Sequence, residues 1–503
     1  MIQQFARLPF VLKIMSLGAV TMWVPAIFAL VNEEFFQARM FFYTGVVGLF
    51  FVVMIALAIT NRVIKESGFQ QVIHIGASLA ILPVYLAIPV AEIIGNTSFI
   101  NAYLDMVGAL TTTGLRVFEA DRLPASVHLW RALVAWQGGA LMWVVASAIL
   151  APLNLGGFEV SGGHAGHRVG PSHSLTFQDR QRLLARAARM LLPAYVGFTA
   201  SLWLILTILG SPSLDALIHA MSVMSTSGIS GQQSFVSAQS GLIGEIFVFG
   251  FFVFGITRIA FSQERMGAHK SNIFLDPEFR LALVIILTLA LGLFVRHWVG
   301  AFDGGDQTSW SQAFRALWGG IFTVTSFLTT TGFVSEFWQD AQVWSGLETP
   351  GFLFMGLALI GGGVATTAGG VKLLRVYSLY LSIMREMDRM EHPSSVGQSR
   401  SHLRSDLRAG AFIAWVFFML FVVAIASFTM IFAWFGLDFE HAIVLSITGL
   451  TTTGPLLDVA GLGNFGILAM SLPLKLMIAL SMIFGRLEIL VVLALMSPSA
   501  WRR

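Results

Sequence analysis

Four short polar tetrads interrupt an otherwise apolar chain, and any fold must account for all four at once. They read Thr111-Thr112-Thr113-Gly114, Ser225-Thr226-Ser227-Gly228, Thr329-Thr330-Thr331-Gly332 and Thr451-Thr452-Thr453-Gly454. The repeat unit is roughly a hundred residues, long enough for one supersecondary unit per tetrad. Four quasi-equivalent loops of this kind close into a ring about an axis, with one polypeptide supplying every quarter. Only 11% of the residues are charged and 56% are hydrophobic, whereas soluble domains carry about 25% charge. The ring is therefore expected inside a membrane. Mean hydropathy is +0.78, and the apolar runs of about 20 residues are long enough to span.

Spanning segments are expected near 9–31 and 40–60, then in pairs that bracket the tetrads: 70–92 with 129–151, 190–210 with 238–262, 278–300 with 350–385, and 409–435 with 466–497. The reading is an all-α polytopic protein of ten spans, two leading helices and four helix–loop–helix repeats. Its divisions are 1–68 (leading helices), 69–152 (repeat 1), 153–189 (loop), 190–264 (repeat 2), 265–277 (loop), 278–386 (repeat 3), 387–408 (basic loop) and 409–503 (repeat 4). Met1 to Arg7 leads directly into apolar sequence and reads as the start of a first membrane helix, not a removed signal. Segments without a tetrad hold most of the arginine and lysine, among them Arg180, Arg182, Arg186, Arg389, Arg404 and Arg408. The positive-inside rule makes that side cytoplasmic, with both termini inside and the tetrads entering from outside. Arginine placement also accounts for the pI of about 9.3 without invoking nucleic acid.

Each tetrad follows a short apolar stretch: Phe99–Leu110, Leu214–Met224, Ala313–Leu328 and Phe439–Leu450. These are too short to cross a bilayer and suit re-entrant half-helices, with Asn101, Asp215, Ser311 and Asp438 as expected caps. Four helix C-termini would then direct negative dipole ends at the membrane middle. Non-helical backbone at that depth must be buried in protein or line a water-filled cavity. A glycine ending each tetrad permits positive φ, so that successive carbonyls turn the same way. Rings of neutral carbonyls are how cation filters replace a hydration shell. No acid lies within a tetrad, which disfavours a divalent ion held by carboxylates. The filter residues so read are Thr112, Thr113, Gly114, Thr226, Ser227, Gly228, Thr330, Thr331, Gly332, Thr452, Thr453 and Gly454.

A second feature breaks the third repeat. Gly361-Gly362-Gly363-Val364-Ala365-Thr366-Thr367-Ala368-Gly369-Gly370-Val371-Lys372 holds five glycines in an apolar segment too long for one regular helix. Each glycine costs about 1 kcal/mol in a helix, so the run should interrupt it. The nucleotide-loop pattern G-x-x-x-x-G-K-[ST] is absent; a close helix crossing is the plainer alternative. Near the C-terminus Arg486 stands midway along the last span, where a charge normally faces a cavity or a partner. Glu488, two residues on, points to another face.

Together the tetrads, the 361–372 stretch and Gly485-Arg486-Leu487-Glu488 resemble the membrane subunit of the Trk/Ktr/HKT superfamily of potassium transporters, in its bacterial TrkH-like form. The resemblance covers nearly the whole chain. It implies uptake of K⁺ across the bacterial inner membrane, with glycine at all four filter positions matching the K⁺-selective pattern. It implies that Gly361, Gly362, Gly363, Thr366, Thr367, Gly369, Gly370 and Lys372 form a gate below the filter, with Arg486 projecting toward the pore. It further implies a homodimer docked on a nucleotide-binding regulatory subunit (NAD or ATP/ADP) of the TrkA/KtrA type, with no cofactor in this chain beyond the transported K⁺.

Three departures stand out. Ser227 replaces a common glycine. Thr452 and Thr453 precede Gly454-Pro455, where an asparagine–leucine pairing is more usual. Arg116, just beyond the first filter glycine, would repel cations unless Glu119, Asp121 or an acid of another repeat pairs with it. A Na⁺ or mixed Na⁺/K⁺ pore is therefore the alternative. A coupled carrier with inverted repeats fits poorly with four repeats in one order. No H-E-x-x-H or G-x-S-x-G motif supports an intramembrane enzyme, and zero cysteines exclude disulfides and thiolate metal sites. The histidines show no metal spacing; His164, His167 and His173 fall in a Gly/Ser-rich loop, and Arg385–Arg408 is a basic segment suited to anionic lipid.

Overall fold

Apolar periodicity becomes helix throughout. A computed structural model describes residues 9–59, 68–150, 177–231, 240–257, 273–300, 310–347, 349–391, 401–463 and 466–488, and every regular element among them is helical. His164, His167 and His173, residues 392–400 of the basic loop and both termini lie outside the described residues. Among the described residues, seven helices or helix pairs are long and apolar enough to cross a bilayer: Phe10–Val31, Phe35–Ile59, Ile73–Ile94, Ala125–Leu150, Arg182–Ile208, Pro277–Arg296 and Gly410–Trp434. Phe50, Phe51, Val53 and Leu57 stand exposed along Phe35–Ile59. Lipid is the solvent that such a face requires.

The second half of repeat 2 is shorter than the expected segment. Helix α1 (Gly241–Phe251) passes into α2 (Val253–Ile256) and stops there, short of the expected residue 262. The reason is local. Gly255 O accepts hydrogen bonds from Gly363 N at 2.9 Å and Thr366 Oγ1 at 3.2 Å, so a distant loop supplies what the next helical turn would have given. In repeat 3, α3 (Pro350–Ile360) and α4 (Leu373–Glu391) flank the glycine-rich stretch, as expected. In repeat 4, α5 (Leu472–Leu487) is 16 residues long.

The four re-entrant helices form close to their expected limits: Phe99–Leu110, Ser213–Ser225, Trp310–Leu328 and Phe439–Thr451. Their caps do not. Ser98, Pro212 and Asp438 occupy the N-cap positions of the first, second and fourth of these helices, and none makes a side-chain cap hydrogen bond. Asn101 and Asp215 lie within the first turn, buried, and Ser311 lies inside its helix. The core lies at the C-terminal halves, where Leu104, Val107, Ile218, Val324, Phe327, Leu445 and Leu450 are buried.

Candidate ion pathway

The tetrads share one backbone conformation. The second residue of each, Thr112, Thr226, Thr330 and Thr452, has φ of 55°, 52°, 57° and 54°. A β-branched residue in the left-handed region is a genuine outlier, costing on the order of 1 kcal/mol or more each time. Strain repeated four times marks a geometry that the surrounding fold imposes. Gly114, Gly228 and Gly332 follow with φ of 66°, 66° and 80°. Gly454 departs from the expectation: it is not in the positive-φ region, and its N–H donates to Thr113 O of the first loop at 2.6 Å.

The four loops meet edge to edge. A Cβ added at Gly114 would strike Ser227 O, one at Gly228 would strike Thr331 O, and one at Gly454 would stand 2.5 Å from Thr113 O. These contacts give the cyclic order one, two, three, four. Hydroxyls brace the loops from behind. Thr111 pairs with Thr113 at 2.8 Å, Ser225 with Ser227 at 3.1 Å, Thr329 with Thr331 at 3.0 Å and Thr451 with Thr453 at 3.2 Å. Third-position hydroxyls are thus turned back on their own loops. The buried hydroxyls of Thr112 and Thr452 have no hydrogen-bond partner among the described residues.

Outside the ring lies a cavity of about 390 Å³ lined by Gly114, Gly228, Gly332, Arg116, Pro455 and Asp458 among others. Arg116 does find an acid of another repeat: Asp458 lies 3.1 Å from its guanidinium. Burial pushes the Asp458 carboxyl above its ordinary range, and Arg116 pulls it partly back. Two buried carboxylates fix the walls. Asp105 holds Arg131 through both oxygens at 3.1 and 2.9 Å. Glu245 accepts from Trp318 Nε1, Ser335 Oγ and Glu336 N at 2.7, 2.8 and 2.6 Å, tying repeat 2 to the third loop.

Inside the ring the 361–372 stretch folds as a loop against the filter. Val371 N bonds Leu359 O and Leu373 N bonds Gly362 O, both at 2.9 Å, which closes its neck. Gly369 N donates to Thr330 Oγ1 at 2.8 Å, and Thr226 Oγ1 donates to Thr367 Oγ1 at 3.1 Å. A Cβ at Gly369 would stand 2.5 Å from Thr452 Oγ1. The loop therefore touches the second, third and fourth tetrads. Glu278 Oε1 accepts from Val364 N at 2.8 Å, and Lys372 Nζ donates within the loop to Ala368 O. Arg486 is buried and donates to Thr367 O at 2.6 Å, while its Nε and second terminal nitrogen have no hydrogen-bond partner among the described residues. Glu488 pairs instead with Arg375 at 2.7 Å. Beneath the loop remains a cavity of about 30 Å³ lined by Thr366, Gly369, Lys372, Arg486 and Glu488 among others. That is room for a water or two.

The family model for TrkH, described as a cation transport protein, matches residues 93–502. The chain belongs to the TrkH family. It is 27% identical over 434 residues to the Trk system potassium uptake protein TrkI of Halomonas elongata, covering 85% of this chain and 82% of the relative. It is 29% identical over 410 residues to the Trk system potassium uptake protein TrkH of Salmonella typhimurium, covering 81% and 80%. The crystal structure of the potassium transporter TrkH from Vibrio parahaemolyticus aligns with a TM-score of 0.77 over 100% of both chains at 23% identity, which establishes the fold. TrkH is a transport family and not an enzyme family, and this member is a multi-pass membrane protein.

Several positions in this TrkH-family chain escaped sequence reasoning. Thr111, Ser225, Thr329 and Thr451 brace the filter residues, and only their place in the repeat could have flagged them. Glu245, Glu278 and Asp458 are isolated acids whose partners lie far along the chain. Among the described residues no group of three or more His, Asp or Glu could hold a metal ion.

Proposed function

We propose that this protein carries K⁺ into the cell across the cytoplasmic membrane. The four tetrads form its selectivity filter and the 361–372 loop its gate. The observation that carries the reading is the edge-to-edge closure of four loops with the same left-handed threonine. Such a collar presents neutral oxygen dipoles to a monovalent ion, strong enough to replace water and weak enough to release it. The names of the relatives, potassium uptake proteins of Trk systems, support K⁺ as the ion. Contacts from Thr367 and Gly369 to the second and third tetrads support a closed gate directly below the filter. Arg486 both pins that loop and places a cation beneath the filter. Arginine and lysine placement puts both termini in the cytoplasm, where the basic 387–408 segment is available to a regulatory subunit binding NAD or ATP/ADP. The working unit is a homodimer.

Expression in bacteria without their own K⁺ uptake should restore growth at low K⁺, and purified protein in proteoliposomes should pass K⁺ in preference to Na⁺. Gly114→Ser adds a side chain where φ is positive and Ser227 O is adjacent. We expect it to admit Na⁺ more readily, lowering the K⁺/Na⁺ flux ratio by about tenfold, the scale of one lost discriminating contact. An unchanged ratio would remove the filter assignment. Equal Na⁺ and K⁺ flux in the unmodified protein would favour the mixed-cation alternative.

A further inference from the structure

The fourth loop breaks the symmetry of the ring at its outer edge. At the seams from loop one to two and from two to three, the glycine faces the third-position carbonyl of the next loop. At the seam from three to four it does not. A Cβ at Gly332 would stand 2.9 Å from both Cβ and Cγ of Pro455, and one at Gly228, diagonally opposite the fourth loop, would stand 2.5 Å from Pro455 Cγ. A residue of the fourth loop reaches the second only by crossing the middle of the ring. Pro455 is half-buried, with its outer side lining the 390 Å³ cavity. Gly454 turns its N–H to Thr113 O at 2.6 Å, so one carbonyl of the outer ring is already occupied by a donor.

The segment that carries Pro455 is tied down. Asp458 N and Val459 N both bond Pro455 O, at 3.1 and 3.3 Å, making one short turn of Pro455 and Asp458. Asp458 in turn pairs with Arg116 at 3.1 Å, across from the first loop. Arg116 thus does more than avoid repelling cations: it anchors the turn that holds the proline over the mouth.

We propose that Pro455 determines ion entry and ion choice at the outer mouth of the filter, and that the Arg116–Asp458 pair holds it in place. The proposal rests on the tetrads being a cation filter. With Pro455 seated, the outermost position is three-sided and capped by a ring that offers a cation no oxygen. An ion enters only when the turn lifts, and the closeness of the seat limits which ion follows.

The test is K⁺ and Na⁺ flux into proteoliposomes of the full chain, with folding checked by helical signal and a single size-exclusion peak. Pro455→Ala keeps the turn and removes the ring. It should raise K⁺ flux and lower the K⁺/Na⁺ ratio on the order of tenfold, as loss of a close-fitting group does in a discriminating pocket. Arg116→Gln and Asp458→Asn should each move both quantities in the same direction by up to about fivefold, the span of a partly exposed ion pair. The double variant should go no further than the larger single one. Flux and ratio unchanged in folded Pro455→Ala would overturn the proposal, as would additive effects of the two latch variants. Gly114→Ser separates the levels. If it shifts the ratio while Pro455→Ala does not, only this proposal fails. If neither shifts it, the filter reading fails as well.

Discussion

The two ends of the tetrad ring are closed by different physics. Outside, a proline ring rests on two glycines and is held by one ion pair whose side chains are 56% and 30% exposed. Such a pair contributes about 1 kcal/mol at most. Inside, a loop of backbone and hydroxyl hydrogen bonds reaches three of the four tetrads and is backed by buried charge. Arg375 is fully buried, pairs with Glu488 and stacks 3.7 Å from the Phe417 ring. The outer closure yields to thermal motion or to an arriving ion. On the proposed reading the inner one opens only with an external source of free energy, which the proposed regulatory subunit would supply.

The sharpest way to break this contrast is to uncouple the inner charges. Glu488→Gln takes away the carboxylate that Arg375 pairs with, and loss of one partner of a buried pair costs about 3 kcal/mol or more. We expect a clear fall in the thermal midpoint of the detergent-solubilised protein. Replacing both partners by apolar residues, Arg375→Met with Glu488→Leu, should recover most of that loss, since the desolvation cost vanishes with the charges. If Glu488→Gln unfolds at the original temperature, the inner closure is no stronger than the outer one.

Arg486→Ala is next in size. It removes the hydrogen bond to Thr367 O and a buried positive charge below the filter. Conductance through the open pore should rise by about tenfold, equivalent to about 1.4 kcal/mol off a barrier. A fall in conductance at normal expression would make Arg486 a structural strut rather than a barrier.

Local rules made the ring legible and left its fastenings hidden. Apolar run length gave the re-entrant helices within a few residues, and the glycine-rich stretch 361–372 announced the break between α3 and α4. Even the need for an acid opposite Arg116 was readable, because a cation at the mouth of a cation path demands one. Asp458 itself was not, since it lies 342 positions further on by residue number (458 − 116) and no periodicity links the two. The left-handed threonines were invisible for the opposite reason: threonine disfavours that conformation, and only four converging helix ends impose it. The segment 238–262 was expected to continue past Ile256 because length was counted without tertiary partners. Gly255 ends its helix on Gly363 and Thr366, a contact that no local pattern encodes.

The smallest effect tests the outer closure by pH. Burial holds the Asp458 carboxyl above its ordinary value, so acid removes its charge earlier than from an exposed aspartate. The folded state then binds this proton more tightly than the unfolded chain. The contribution of the group to stability is accordingly more favourable below its folded pKa and declines as pH rises through it. Protonation therefore severs the latch without unfolding the protein. Arg116 faces Asp458 directly, and His128 and Arg131 line the same cavity. Acidifying the external solution from neutral should raise K⁺ flux by about twofold, within the range of a partly exposed pair. Asp458→Asn, already uncharged, should start at the higher flux and gain less on acidification. Equal acid responses in the two proteins would show that the Arg116–Asp458 pair is not the acid-sensitive element.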